Sequence, residues 1–520
     1  MENYEVPTGK AARKMQNSGY GDAGASWKKR ALKSFLASSI SAHEDIDWNN
    51  YTMRQRSRML YMAAPLATSA VKTNRTNVIG CGLKLQAKPN AEILGLSPEA
   101  AANWKKKTEA EFELWARKKR CCDATGINNF YGLQQLAMTS WLLSGDVFAV
   151  IKQKDATPDM PYSLRIHLIE ADRVMTPIGK SGIYPNITDG VNPDNNNRIF
   201  DGVEVDKDGL IVAYYICSHY PNQITTDPVE FKRVEAYGKL TGLPNVLQIM
   251  ESERPEQYRG ISYLAQVVEP LLQMRRYTEA ELQAALIQSF FTAFVLTEAD
   301  PTENPYNEAG EPEISHDNDE YEMGPGQVNV MKPGEDIKFG EPTHPNTGFD
   351  TFMKCLCEQC GAALEVPADL LMKAFNSSYS ASRAALLEAW KAFKMRREWF
   401  VDDFCKPIYE IWLYEAVARG RILAPGFFSD PLVREAWLGS EWIGPSQGQL
   451  DPNKEIQAEA LAVQHGFSTH EQSTIKLNGG DWNANMRQLI EENKKLAEAN
   501  AYANPVQGGN IDDEDEEEEE

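Results

Sequence analysis

Cys357 and Cys360 stand at the C-x-x-C spacing of half a zinc site, with Cys355 and His344 not far off in the chain. A structural zinc takes four ligands, usually as two such pairs. No second pair exists, so the thiols read as buried, uncoordinated core cysteines. Gly179-Lys180-Ser181 matches the end of a phosphate-binding loop, but that loop needs a further glycine where this chain has Val174. Without it the backbone N–H groups cannot curl around a phosphate. His465 and His470 lack the glutamate-bearing i, i+4 pattern of a zinc protease and read as surface residues. The seven histidines are scattered, and no pair of carboxylates can be singled out as acid and base. The expectation is therefore no catalytic residue, no metal and no cofactor. A hydrolase or nuclease with an unrecognised carboxylate site stays open as the alternative.

Two other polar constellations suit binding or assembly better than catalysis. Arg54, Arg56 and Arg58 form a ladder in front of a helix rich in small residues, which stops at Gly80-Cys81-Gly82. That stretch, 49–86, reads as an assembly element. Lys373, Asn376, Ser377, Ser378, Tyr379, Ser380 and Arg383 make a polar stretch between two helices. On residue types alone it is an ordinary connection, ending in Ser380 or Ser382 as helix N-cap.

The elements that must hold these residues are numerous. A chain of 520 residues is too long for one small core. An apolar content of 42% with 28 prolines describes a globular chain with many loops. The N-terminal residues carry no apolar signal core, so reduced thiols in a cytosol-like compartment are expected. The most apolar stretches, 141–151 and 289–296, are too short to span a bilayer. The formal charge is −22, and residues 512–520 are all acidic, reading as a solvated, disordered tail. The first forty residues carry seven Lys and Arg against three acids. An acidic body argues against tight non-specific DNA binding, which needs phosphate-neutralising cations, but not against a channel through which DNA slides.

Periodicity predicts an arm over 1–47, a helix over 48–77 and a strand over 83–87. It predicts a helix from Ser97-Pro98 with Trp104, Thr108, Phe112 and Trp115 on one face. A helix over 130–143 turns at Gly145-Asp146 into strand 147–151. Residues 164–255 read as β-rich, with a hairpin around Lys207-Asp208-Gly209. A long helix over 260–289, bent at Pro270, leads to strand 290–297. Further β pattern is predicted over 327–331, helix over 349–364, and a long helix after 380. The aromatics Trp390, Phe393, Trp399, Phe404, Tyr409 and Trp412 form a core or subunit-packing face. Two helices hinged at Gly479-Gly480 end the pattern over 454–500.

Several separated blocks resemble the lambda-type family of tailed-bacteriophage portal proteins. They are RQRSR…NRTNVIGCGLKLQ (54–86), KKRCCD (118–123), LSGDVFAV (143–150), RIHLIEADRV (165–174), RPEQYRGISYL (254–264), MKPGEDIKF (331–339) and GAALEVPADLLMKAFNSSYSASRAALLEAW (361–390). Each is weak alone, but they stand in the family's order. The resemblance implies an α+β portal fold with a mixed α/β wing, a helical stem, a small β-containing clip and an α-helical crown. Carried onto this chain, the arm is 1–47, the wing 48–297, the stem and clip 298–348, and the following stem helix with tunnel loop 349–382. The long tunnel or wing helix and its loops occupy 383–453, the crown 454–500 and the acidic tail 501–520. Residues 298–320, rich in Pro, Asn and Glu, make the first stem helix look short or missing.

The resemblance further implies a dodecameric homo-oligomeric ring at the capsid vertex of the virion, assembled in the host cytoplasm. Double-stranded viral DNA would pass through it without sequence specificity during packaging and ejection. A terminase large subunit and a head–tail adaptor would dock on the clip, through Val328, Val330, Gly334, Glu335, Asp336 and Phe339. Major capsid and scaffold proteins are further implied partners, and no membrane is. DNA would touch the polar stretch from Lys373 to Arg383. Large aromatic faces that one subunit does not bury alone would support the ring.

Overall fold

A computed structural model of the protein describes residues 24–26, 29–35, 39–157, 160–177, 184, 186–224, 226–289, 293–297, 335–339, 348–375, 378–448 and 452–503. Helix α1, Ala42–Ala63, begins at Ser41. The Ser41 hydroxyl accepts from the Glu44 N–H while the Glu44 carboxylate accepts from the Ser41 N–H. This reciprocal box satisfies two donors that the first turn leaves unpaired, so the helix starts before Trp48 and shortens the expected arm. Helix α2, Pro65–Val78, follows a break at Ala64. The single helix expected over 48–77 is two, because Pro65 has no N–H to return to α1 and suits a first turn. Gly80 and Gly82 then end the run at φ 59° and 118°. A Cβ on Gly82 would lie 2.4 Å from the Tyr131 ring.

Strand β1, Lys84–Ala87, pairs antiparallel with residues 440–443 near the other end of the fold. Helix α3, Ala91–Leu94, leads to α4, Pro98–Arg117, capped by Ser97 accepting from the Ala100 N–H. Thr108, Phe112 and Trp115 are buried together, as their spacing requires. Helices α5, Lys119–Cys122, and α6, Phe130–Ser144, run into β2, Asp146–Gln153. β3, Leu164–Glu170, pairs with β2. Five antiparallel strands form a second sheet in sequence order: β4 Asp189–Val191, β5 Arg198–Phe200, β6 Val203–Val205, β7 Ile211–Cys217 and β8 Phe231–Glu235. β9, Val246–Met250, returns to the free side of β2. Phe148, Val150, Ile169, Tyr214 and Ile216 fill the space between the sheets.

Helix α7, Val268–Ser289, starts later than expected, after a 3-10 turn at Ala265–Val267. Pro270 therefore sits in its first turn, where no N–H is needed, and does not bend it. β10, Ala293–Thr297, pairs with β11, Glu335–Phe339, and α8, Phe349–Ala363, returns along α7. Tyr277 meets Phe349 and Phe352 at 5.4 Å, and Cys357 Sγ lies 4.0 Å from Met274 Sδ. α8 thus packs against a helix upstream of residue 298; residues 298–320, where the sequence made the first stem helix look short or missing, lie outside the described residues. Cys360 is buried in the same cluster as Cys357, and burial pushes its thiol up to about 11. All eight cysteines are free.

α9, Ala368–Met372, precedes α10, Tyr379–Phe400, which passes through a π turn at Val401–Cys405 into α11, Lys406–Ala418. α12, Pro431–Leu438, and β12, Ser440–Ile443, close the body against β1. Among the described residues, three more helices follow: α13 Pro452–Gln464, α14 His470–Asn478 and α15 Trp482–Ala503. The expectation of two helices there missed the break at Gly466, at φ 75°, and the capping box of Thr469. The aromatic stripe belongs to the subunit's own core. Trp390, Phe393, Phe404, Tyr409 and Trp412 are buried in one cluster. Phe112 is its hub, within 5.1 Å of Trp412, 5.6 Å of Phe130 and 5.9 Å of Tyr409 and Trp442. The expectation that a neighbour is needed to bury these faces is therefore overturned: they are buried within the subunit, with Phe112 of α4 and Phe130 of α6 packing on Phe404, Tyr409 and Trp412.

Candidate functional site

The two groups of residues expected to act flank α8 in the chain. Glu335, Asp336 and Phe339 lie on β11, facing Thr297, Leu296 and Ala293 of β10 in register. Val328, Val330 and Gly334 lie outside the described residues, as do Asn376 and Ser377.

The polar stretch after α9 is shorter than its sequence suggests. Lys373 ends α9 in the left-handed region, at φ 55°, and its Nζ lies 3.4 Å from Thr73 Oγ1 on α2. Ser69 of α2 donates to the Leu371 carbonyl at 2.7 Å, so α2 holds the base of the segment. Ser378, not Ser380 or Ser382, is the N-cap of α10, its hydroxyl accepting from the Ala381 N–H. Tyr379, Ser380 and Arg383 consequently belong to the first turns of α10 rather than to a loop. Arg383 reaches Glu455 of α13 at 3.8 Å. Phe375, 57% exposed, and exposed Ser380 stand on the solvent side.

The far part of α10 anchors this stretch to the body. Arg397 donates from Nε to the Val78 carbonyl at 2.9 Å and from Nη2 to the Asn77 and Pro445 carbonyls at 2.8 and 2.9 Å. It therefore caps the C-terminus of α2, whose last carbonyls have no helical partner. Burial lowers its pKa to about 10, so it stays cationic at neutral pH. Arg397→Ala is expected to cost about 1–3 kcal/mol, the penalty for stranding such acceptors, read as a lower urea midpoint with unchanged helical content.

The arginine ladder has a role its spacing did not suggest. Arg54 is buried, donating to the Ser144 carbonyl and to Asp201 at 3.2 Å each. Arg259, fully buried, forms a fork on Asp146 at 2.6 and 3.2 Å and also donates to the carbonyls of Ala171, Val174 and Asp201. Burial opposes ionisation of Asp146, but Arg259 and Arg54 outweigh it and hold the carboxyl below its usual range. Asp201, with burial the larger influence, is pushed up to about 6. Arg58 bridges to Glu170 and Asp172. Arg54 and Arg58 are thus spent inside the subunit, and only Arg56 of the ladder is exposed. The expected assembly role of the ladder gives way to an internal clamp joining α1 to both sheets. Nothing in the local sequence marks Asp146 or Arg259 as partners, since 113 positions separate them.

Among the described residues, no group of three or more His, Cys, Asp or Glu is arranged to hold a metal ion. Exposed His465 and His470 do not meet, and His470 stacks on Trp482 at 5.4 Å. No helix among the described residues is long and apolar enough to cross a membrane.

Comparison with known proteins adds the context. Residues 28–397 match the family described as phage portal protein, lambda family. Portal protein B of Escherichia phage lambda is 22% identical over 446 residues, covering 82% of this chain and 80% of that protein. The portal protein of Escherichia phage N15 is likewise 22% identical over 446 residues, covering 82% and 81%. Among solved structures, a chain from the neck of an empty GTA particle aligns with a TM-score of 0.44 at 12% identity, covering 82% of this chain and 94% of that one.

Proposed function

The chain belongs to the lambda family of phage portal proteins, and on that premise we propose that it forms the closed ring through which double-stranded DNA enters and leaves the capsid. It is a portal protein of a bacteriophage virion, and packaging and head–tail connection follow from the family. The observation that carries the reading is the family match itself, whose bounds, 28–397, take in both sheets, α7, α8 and most of α10. Nothing found favours the hydrolase or nuclease alternative.

In this reading α7 and α8 together are the stem, and β10–β11 with the residues between them are the clip. The segment from Lys373 to the start of α10 is the tunnel element, and α13–α15 are the crown. A dodecamer is the expected ring, with a head-to-tail interface that closes by rotation. The terminase motor and then the head–tail adaptor would dock at the clip, near Gly334 to Phe339. The subunit itself would supply no hydrolysis, the work coming from the terminase.

Negative-stain images of the purified chain test the assembly. Closed rings with a central channel are expected. Particles that stay compact monomers at every concentration, with capsid and scaffold proteins also present, would reject it.

A further inference from the structure

His43 lies near the N-terminus of α1 with both ring nitrogens against carboxylates. Nδ1 is hydrogen-bonded to Asp47 Oδ2 at 2.5 Å, one turn along α1, while Nε2 lies 2.8 Å from Asp189 Oδ1 on β4 as an ion-pair contact without hydrogen-bond alignment. The ring packs on Phe200 of β5 at 4.5 Å and is 7% exposed. A neutral imidazole has one N–H and one lone pair, so it can donate to only one of two carboxylates. The second would then face a lone pair, which repels it. Only the imidazolium, with its positive charge, is attracted to both carboxylates at these distances. We propose that His43 is a proton-operated latch that fastens the start of α1 to the β4–β5 edge of the five-stranded sheet.

The surrounding charges are consistent with this. On α1, Glu44 is committed to Ser41 and Asp45 to Arg254. On β5, Arg198 stands over the Phe200 ring and 3.9 Å from Asp189. Behind Asp47 lie Asp201 and Arg259. Burial acts to lower the His43 pKa, but the bonds and charges of Asp47 and Asp189 outweigh it, leaving it above 6.5. Because the folded value is raised, the latch is fully present below the unfolded pKa and is lost as pH rises through the folded one. The contact that yields is Asp189, since Asp47 is buried whereas Asp189 is 51% exposed and can turn to water. The latch borders a cleft of about 1290 Å³ lined also by Arg198, Phe200, Tyr214 and Tyr258. Opening therefore loosens one wall of that cleft, between α1 and the 189–200 hairpin.

Hydrogen exchange on the full-length protein tests this, reading peptides that cover 189–200 after correction for intrinsic pH dependence. Wild-type protection of these peptides is expected to be lost progressively as pH rises from about 6 towards about 9, through and above the ordinary imidazole range. Asp189→Asn should abolish that pH dependence, because an amide can pair with either protonation state of the ring. His43→Gln should do the same. Should it fail to fold, the half-exposed Asp189 variant decides. Wild-type protection that is flat across the window, or a pH dependence that persists in Asp189→Asn, would overturn the latch.

Discussion

Arg259→Met is expected to destabilise the subunit by about 3–5 kcal/mol, the range for breaking a buried ion pair by removing one partner. That is a large fraction of a typical folding stability of about 5–15 kcal/mol. The guanidinium holds Asp146 at the start of β2, the Ala171 and Val174 carbonyls after β3, and Asp201 between β5 and β6. Its loss leaves a fully buried carboxylate with only the Gly260 N–H at 3.1 Å, Gln248 at 3.4 Å and Arg54 at 3.8 Å. The backbone cannot move in to compensate, because Gly145 and Gly260 already touch. A Cβ on Gly260 would lie 1.9 Å from the Gly145 carbonyl oxygen. Urea unfolding and soluble yield provide the measurement. Replacing Asp146 by Leu in the same chain should recover part of the loss, since an apolar pair carries no stranded charge. A single variant with a wild-type midpoint would show that the cluster does not hold α1 and the two sheets together.

Replacing Phe375, Asn376 and Ser377 by glycines is expected to leave rings of normal size and to reduce DNA packaging or genome retention sharply. The design follows from the helix cap. Ser378 caps α10, so a deletion reaching Ser380 would unwind its first turn and confuse folding with function. The anchors outside the segment stay in place: Ser69 to Leu371, Lys373 beside Thr73, and Arg383 to Glu455. Contact with DNA is expected to be loose. The chain carries 75 acids against 53 Lys and Arg. Lys373 and Arg383 already have partners within the subunit, so each subunit offers little counterion release. Loose contact suits a conduit, because tight phosphate binding would stall translocation. Each added glycine raises the entropy of the unfolded chain, so thermal unfolding is expected to lose no more than about 1 kcal/mol per position. Rings that package and retain DNA at wild-type levels would reject the tunnel assignment, and loss of rings would assign the segment to assembly instead.

Much of the local structure was legible in the residues. Ser97-Pro98 announced α4, and the spacing of Thr108, Phe112 and Trp115 announced its buried face. The alternation in 164–169 announced β3, and Lys207-Asp208-Gly209 the turn between β6 and β7. The ordered blocks carried the family, and through it the portal reading. These signals are local or cumulative: caps, turn residues and periodicity act within a few positions, and order along the chain survives divergence. What the tertiary structure alone decided are the long-range pairings. Arg54 looked free for assembly until Asp146 and Asp201 were brought beside it. Pro270 looked like a kink until the start of α7 was located at Val268. The aromatic stripe read equally as core or as a subunit-packing face until Phe112 and Phe130 were found packed on it, and His43 had no visible partner on β4 across 146 positions. A buried charge is stable only beside its counter-charge, and which counter-charge arrives depends on how distant segments pack, information that no spacing within one segment contains.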